Sequence, residues 1–269
     1  MVADAPASPY ALETSPYALE TSALNVAYHG KRALCDVSLK VRPNSITAIV
    51  GPSGCGKSSF LTALNRLDET IPGCTVSGDV RLFGTSLHDH PMPLEDLRRR
   101  VAMIFQRPTP FPLSIRRNME IPIFEHFGPN RAHCAERMES ALEAVGLLDE
   151  VKDRLDCNAT LLSGGQQQRL CLARALALEP HILLLDEPCS ALDPLATEKV
   201  ETLLKSLKQR LSLVLVTHNM AQAQRLADDM ALFWVKNGCG YVAEAGPATA
   251  LLHTPQSAEG RDYFSGRLG

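Results

Sequence analysis

This chain contains a glycine-rich segment that only a strand–turn–helix unit accommodates: Gly51-Pro52-Ser53-Gly54-Cys55-Gly56-Lys57-Ser58-Ser59. An apolar run of strand length, residues 45–50, precedes it, and apolar residues recur at helical spacing from residue 60 to residue 67. Glycines let the backbone bend until several N–H groups point to one anion, beside the positive end of the following helix. The order of these patterns predicts a phosphate-binding loop.

Two residues at the end of this segment have side chains suited to a nucleoside triphosphate. The ammonium group of Lys57 supplies a point charge for the β- and γ-phosphates. The hydroxyl group of Ser58 is a hard oxygen ligand of the kind that Mg²⁺ prefers. We therefore predict a site for a nucleoside triphosphate together with Mg²⁺.

Composition excludes several other classes of protein. The formal net charge of -3 gives no electrostatic reason to expect nucleic acid as a partner. The eight cysteines form no C-x-x-C pair, so they suggest neither a zinc nor a redox framework, and a reducing cytosol suits them. No apolar run approaches the roughly 18 residues that span a bilayer. We expect a cytosolic protein, or one that is peripheral on the cytosolic side of a membrane.

A second motif consists of an apolar strand, residues 182–185, that ends in Asp186 and Glu187. In an open parallel sheet, ligands gather at the carboxyl ends of the strands, and such a strand delivers both carboxylates there. We predict that Asp186 holds Mg²⁺, through water, and that Glu187 activates the attacking water as general base.

A third motif places a cap and two glycines before a helical pattern, in the segment Leu162-Ser163-Gly164-Gly165-Gln166. Ser163 is a good N-cap, and the two glycines allow an anion to approach the helix N-terminus closely. One nucleotide does not need two phosphate-binding helix starts in the same chain. The simplest explanation is a head-to-tail pair of chains, in which each presents this segment to the nucleotide on the other.

The three motifs in this order resemble the ATP-binding subunits of ABC transporters, over roughly residues 22–269. The resemblance implies a Q-loop glutamine at Gln106 that contacts Mg²⁺ and couples to membrane subunits, and a switch histidine at His218 that contacts the γ-phosphate. It implies a D-loop that reaches across the dimer at Ser190-Ala191-Leu192-Asp193. The adenine base stacks on an aromatic side chain in this family; here Tyr28 is favoured, with His29 as the alternative.

The fold class that follows is α/β, with a P-loop NTPase core of the RecA-like type, an antiparallel β lobe and an inserted α-helical lobe. We expect a mobile N-terminal tail with a heptapeptide duplication over residues 1–21, and the β lobe with the first part of the nucleotide-binding core over residues 22–106. A helical lobe that ends in the signature helix is expected over residues 107–172. The second part of the core follows over residues 173–246, and a C-terminal tail over residues 247–269.

The cargo is inferred from resemblance alone, since an ATP-hydrolysing subunit does not touch the transported solute. The proline-rich segment 106–115 and the segment 186–194 resemble those of phosphate-import ATPases. This implies a homodimer on the cytoplasmic side of the cell membrane, two integral membrane permease subunits, a solute-binding protein as an indirect partner, and no nucleic acid.

Three alternatives remain at this stage. The first is an ABC importer for an amino acid or another oxyanion. The second is a soluble ABC ATPase acting on DNA or ribosomes, which is disfavoured because residues 59–161 contain no sustained heptads and the chain has one cassette. The third is a P-loop kinase, which has no use for the segment 162–166.

Overall fold

The structure is a computed structural model, and it describes residues 15–89, 92–190 and 192–265. The strands of this part pair into one ten-stranded sheet of order β5-β4-β1-β2-β10-β9-β3-β8-β7-β6. They are β1 (Leu19–Tyr28), β2 (Lys31–Val41), β3 (Ile46–Val50), β4 (Cys74–Leu82), β5 (Thr85–Ser86), β6 (Val101–Ile104), β7 (Ile182–Asp186), β8 (Ser212–Val216), β9 (Asp229–Lys236) and β10 (Cys239–Pro247).

Helices cover this sheet and form a separate lobe. They are α1 (Lys57–Leu64), α2 (Leu94–Arg100), α3 (Ile115–Phe127), α4 (Arg131–Ala144), α5 (Leu148–Val151), α6 (Gly164–Leu176), α7 (Pro194–Leu207), α8 (Met220–Leu226), α9 (Ala248–His253) and α10 (Ala258–Phe264). The predicted α/β core with an inserted helical lobe is confirmed.

The parallel half of the sheet positions the functional residues. Strands β3, β8, β7 and β6 run parallel, and β3 and β8 are buried along their whole length, as continuous apolar runs require. Ile49 pairs with Val216, and Val216 pairs with Asp186. Because these strands end in register, the residues that follow β3, β7 and β8 emerge side by side at one edge of the sheet.

The antiparallel lobe packs on the helix that follows the glycine-rich turn. Strand β1 pairs with both β2 and β4, and one parallel bridge between Gly240 and Leu34 joins this lobe to β10. A buried cluster contains Leu34 of β2, Cys55 of the turn and Phe60 of α1. The β lobe therefore packs against the glycine-rich turn and against helix α1.

The buried core of the helical lobe is continuous with the core on one face of the parallel sheet. Met119 of α3, Leu142 of α4 and Leu172 of α6 belong to one buried cluster with Leu183 of β7 and Leu215 of β8. The signature helix α6 is therefore anchored on the sheet on one side and on the lobe on the other.

The two ends of the chain differ from the sequence-based boundaries. Strand β1 begins at Leu19, inside the segment expected to form a tail, because Leu19 pairs with Val41 and Leu82. The first copy of the heptapeptide, residues 8–14, lies outside the described residues. At the other end, the segment expected as a tail forms α9 and α10, and the Tyr263 ring packs edge-on against Trp234 of β9.

The cysteine spacing suggested no redox framework, but one pair of cysteines is oxidised. Cys35 of β2 and Cys239 of β10 form a disulfide, although 204 residues separate them. The other six cysteines carry free thiols. The pair escaped prediction because C-x-x-C spacing detects only neighbours in sequence, whereas β2 and β10 meet only in the assembled sheet. Among the described residues, no helix is both long and apolar enough to cross a bilayer.

Candidate functional site

The glycine-rich turn between β3 and α1 has the conformation that its sequence requires. Gly51, Gly54 and Gly56 have φ values of +142°, +78° and +91°. A side chain at Gly51 would collide with the carbonyl oxygen of Phe233, and one at Gly56 would collide with the Leu34 side chain. The turn is thus held against β9 and β2 at two positions where only glycine fits.

Lys57 connects the start of α1 to the first residues of the turn. Its ammonium group is buried, at 8% exposure for the residue, and donates hydrogen bonds to the carbonyl oxygens of Gly51 and Pro52, both at 2.8 Å. The Cys55 thiol lies 3.7 Å from the same nitrogen, and burial raises the pKa of that thiol. The outer surface of the turn, formed by Ser53 and Gly54, is exposed.

Asp186 ends β7 next to the start of α1. Burial raises the pKa of its carboxyl group, and the neighbouring Glu187 raises it further. A hydrogen bond from the Ser58 hydroxyl and the charge of Lys57 act in the opposite direction. The strand end and the helix start therefore bring a carboxylate and a hydroxyl together, as predicted for a Mg²⁺ site.

Both carboxylate oxygens of Glu187 have a partner from another strand end. The side-chain nitrogen of Gln106, after β6, donates to Oε2 at 2.8 Å, and Nδ1 of His218, after β8, lies 3.0 Å from Oε1. Glu187 has a φ of +45°, an uncommon conformation for a residue other than glycine. Its backbone N–H donates to the carbonyl of Val216. The sheet thus brings together the three residues predicted to act in hydrolysis.

The segment 162–166 forms the start of α6 and faces outward. Ser163 caps the helix by accepting from the N–H of Gln166 at 3.3 Å, and the Gln166 side chain accepts from the N–H of Ser163 at 3.1 Å. Leu162 is buried beneath this capping box, whereas Ser163 and Gly164 are exposed. Gly165 abuts Ala196 of α7. The exposed helix start is accessible to a second molecule.

One residue behind this helix start was not detected from the sequence. Glu150 of α5 accepts from both terminal nitrogens of Arg169 at 2.9 Å and from the Gln166 side chain at 2.9 Å. Lys199 of α7 lies 3.4 Å away. The Arg169 hydrogen bonds are the main cause that lowers the pKa of Glu150 to about 2. No sequence spacing marked Glu150, because its partners are 16 to 49 residues further along the chain.

The predicted D-loop joins the Glu187 turn to α7. Asp193 is the N-cap of α7 and accepts from the N–H of Ala196 at 3.0 Å. Ser190 is exposed, Leu192 packs partly into the core of the helical lobe, and Ala191 lies outside the described residues. The structure therefore gives Asp193 a capping role, in addition to the role across a dimer that the resemblance implies.

The two candidates for the adenine contact lie at the end of the β1–β2 hairpin. Tyr28 is partly buried and packs against the cluster that contains Cys55 of the turn and Phe60 of α1. His29 is exposed, has a φ of +48° and lies over Gly73. Tyr28 remains the predicted adenine contact, with His29 as the alternative.

Comparison with known proteins gives a consistent result. A sequence profile for the family described as ABC transporter matches residues 34–190. The chain is 49% identical, over 246 residues, to a protein named phosphate import ATP-binding protein PstB 1 from Nitrosococcus oceani, covering 91% of this chain and 89% of that protein.

A second relative and a solved structure agree with this. The phosphate import ATP-binding protein PstB of Mycoplasma mobile is 47% identical over 239 residues, which is 89% of this chain and 84% of that protein. A solved structure described as the ATP binding subunit of an ABC transporter superposes with a TM-score of 0.70 at 26% identity, covering 87% of this chain and 91% of that one.

Proposed function

This chain belongs to the ABC transporter family, and we propose that it is the ATP-hydrolysing subunit of an importer for inorganic phosphate. The observation that carries the hydrolytic role is the convergence of Gln106 and His218 on the carboxylate of Glu187. The phosphate cargo is supported by relatives 47 to 49% identical whose names specify phosphate import.

The chain binds ATP, as members of its family do, and we assign the phosphate contacts to the turn between β3 and α1. The backbone N–H groups of residues 51–59, apart from Pro52, which has none, face the phosphates. Lys57 neutralises the phosphate charge once its hydrogen bonds to the carbonyl oxygens of Gly51 and Pro52 are exchanged for contacts with phosphate oxygens. Tyr28 stacks on the adenine. This assignment agrees with the exposed outer surface of the turn, where an anion can approach the backbone.

The donor set beside the turn suits Mg²⁺. The Ser58 hydroxyl, the Asp186 carboxylate and the Gln106 amide oxygen are hard oxygen ligands, and the first two lie within hydrogen-bonding range of each other. When bound, Mg²⁺ neutralises charge on the phosphate oxygens. These three residues would hold it.

Glu187 is placed to take a proton from the attacking water. The carboxylate oxygens are fixed by Gln106 and His218, so the general base has one orientation relative to the phosphate-binding turn. His218 is exposed on its other side and is available to the γ-phosphate. Since β6, β7 and β8 supply one residue each, movement of any strand end changes the geometry of the base.

The complete unit is proposed to be a homodimer. The exposed capping box at Ser163 and Gly164 completes the nucleotide site of the second copy, and the D-loop at Ser190–Asp193 reaches across the interface. Two permease subunits dock on the segment that follows Gln106, where Phe111 and Leu113 are each 41% exposed. We place the assembly on the cytoplasmic side of the cell membrane, with a solute-binding protein delivering the solute.

The test is transport by the reconstituted complex. Vesicles containing the chain, its co-purified membrane subunits and the solute-binding protein should take up phosphate only with ATP, and Glu187→Gln should abolish uptake. ATP hydrolysis without phosphate uptake, but with uptake of an amino acid or another oxyanion, would retain the ATPase and reject the cargo. Absence of ATP hydrolysis would reject the proposal as a whole.

A further inference from the structure

An ion pair between a buried carboxylate and a half-exposed guanidinium group joins helices α7 and α8. Glu201 of α7 is only 6% exposed. It accepts from Arg225 of α8 through both oxygens, from Nη2 at 2.7 Å and from Nε at 2.9 Å. Because the guanidinium group is planar, the two hydrogen bonds fix both the distance and the relative orientation of the Glu201 and Arg225 side chains.

Each of the two helices starts at a loop of the proposed site. Helix α7 follows the D-loop and is capped by Asp193, and helix α8 follows His218 and is capped by Asn219. A change in the angle between the helices would therefore move Asp193 relative to His218. Glu201 lies two turns into α7, where it can transmit such a change to both loops.

A third buried group ties the same pair to the segment after Glu187. The Gln222 side chain, 3% exposed, donates to Glu201 Oε1 at 3.4 Å, and the Gln222 backbone N–H donates to Asn219. The Gln222 side chain also hydrogen-bonds to Cys189, two residues beyond Glu187. Burial raises the pKa of the Cys189 thiol, and this hydrogen bond lowers it. Gln222 thus contacts α7, the start of α8 and the turn that carries the general base.

A cleft of about 710 Å³ is lined by residues of both helices and of the loops that precede them. Glu187 and His218 line this cleft, and so do Glu201 and Arg225. Apolar residues also join the two helices, since Val200 and Leu204 of α7 share a buried cluster with Leu226 of α8. The polar contacts of Glu201 add an oriented link to this packing.

We propose that Glu201 is a positioning residue that, through Arg225 and Gln222, holds the D-loop and His218 in register with Glu187. This inference rests on the proposed ATPase function. Glu201 is not among the residues assigned to the nucleotide, and it acts through the two helices. Its loss should slow the chemical step and leave nucleotide binding at the glycine-rich turn unchanged.

The experiment combines kinetics with hydrogen exchange on the full chain. In Glu201→Gln we expect kcat for ATP to fall about tenfold, with KM and the affinity for a fluorescent ATP analogue within about twofold, because small misplacements of a positioned group reduce rates steeply. Exchange should accelerate at the capping amides of Ala196 and Gln222 and stay unchanged in α1. Arg225→Met should reproduce both effects, and Arg225→Lys should restore part of the rate.

The matched control is Lys208→Gln, which removes the 2.8 Å pair with Asp228 at the other end of α7. It should leave kcat and both exchange sites as in the unmodified chain. Unchanged exchange at the two helix starts, or an equal fall in kcat for Lys208→Gln and Glu201→Gln, would overturn the inference. An unmodified chain without ATPase activity would instead refute the proposed function, and the exchange data would still decide the role of the ion pair.

Discussion

His218 Nδ1 lies 3.0 Å from Glu187 Oε1, although the two residues leave the sheet from different strands. The contact exists because β7 and β8 are parallel neighbours in register, with Asp186 opposite Val216. Gln106 holds the other oxygen of the same carboxylate from β6. Glu187 is therefore oriented from two sides before any other group acts on it.

Glu187→Gln should abolish turnover without abolishing nucleotide binding. The amide keeps the size of the side chain but cannot accept a proton, so we expect kcat to fall by about a hundredfold or more. ATP binding and ATP-dependent dimerisation should persist, measured by a fluorescent nucleotide and by light scattering. The control is Glu143→Gln, at an exposed position of α4. A normal rate in Glu187→Gln would show that another group is the base.

Gly51→Ala should damage the glycine-rich turn far more than glycine replacement elsewhere. The new methyl group would collide with the backbone carbonyl of Phe233, at a φ of +142°. We expect loss of nucleotide binding and a lower midpoint of thermal unfolding. Gly128→Ala is the matched control, because Gly128 also has a positive φ, +78°, but has open space around it. Its cost should be about 1–3 kcal/mol, from the backbone alone.

Glu150 should make the protein sensitive to acid. Its pKa of about 2 in the folded chain lies below the ordinary value of 4.5, so its carboxylate stabilises the fold at neutral pH. This contribution is complete above about pH 4.5 and is lost as the pH falls towards 2. We expect about 1–2 kcal/mol, since a partly exposed ion pair is screened by solvent.

Urea unfolding between pH 5 and pH 3 measures this effect. The free energy of unfolding should fall less steeply with acid in Glu150→Gln than in the unmodified chain. Asp149→Asn, at the neighbouring position whose side chain is 91% exposed, should retain the steep dependence. Parallel curves for the unmodified chain and Glu150→Gln would show that the ion pair with Arg169 does not stabilise the fold.

The disulfide between Cys35 and Cys239 should stabilise the joint between the β lobe and β10. Replacing both residues by serine should lower the free energy of unfolding by about 2–4 kcal/mol, because the bond closes a long loop in the unfolded chain. Cys157→Ser, at an exposed free thiol, is the control. Mass spectrometry of the alkylated protein checks the bond itself, and eight alkylated cysteines without reduction would contradict it.

Much of the fold was predictable because its signals are local. The apolar runs 45–50 and 182–185 became β3 and β7, and the helical spacing from residue 60 belongs to α1. The glycine-rich turn was predictable for the same reason, since its conformation depends on residues that are adjacent in the chain. Asp186 and Glu187 followed from their place at the end of a buried strand.

Other features had no local signal. The β1–β2 hairpin gave no indication that Cys35 would meet Cys239, and the acidic run 149–153 did not distinguish Glu150 from its neighbours. Glu201 belongs to an ordinary helical pattern, and only the packing of α7 against α8 pairs it with Arg225. Each of these contacts joins elements that are distant in sequence.

The sequence by itself determined the elements, the order of the motifs and the chemistry of the residues at each strand end. Periodicity, turn geometry and capping depend on neighbours within a few residues, so the sequence alone is enough to predict them. The tertiary structure alone decided that Gln106 and His218 hold one carboxylate, that Glu150 supports the start of α6, and that Glu201 links two loops. Such pairings depend on the order and register of the strands and on how helices stack over them, which no spacing along the chain encodes.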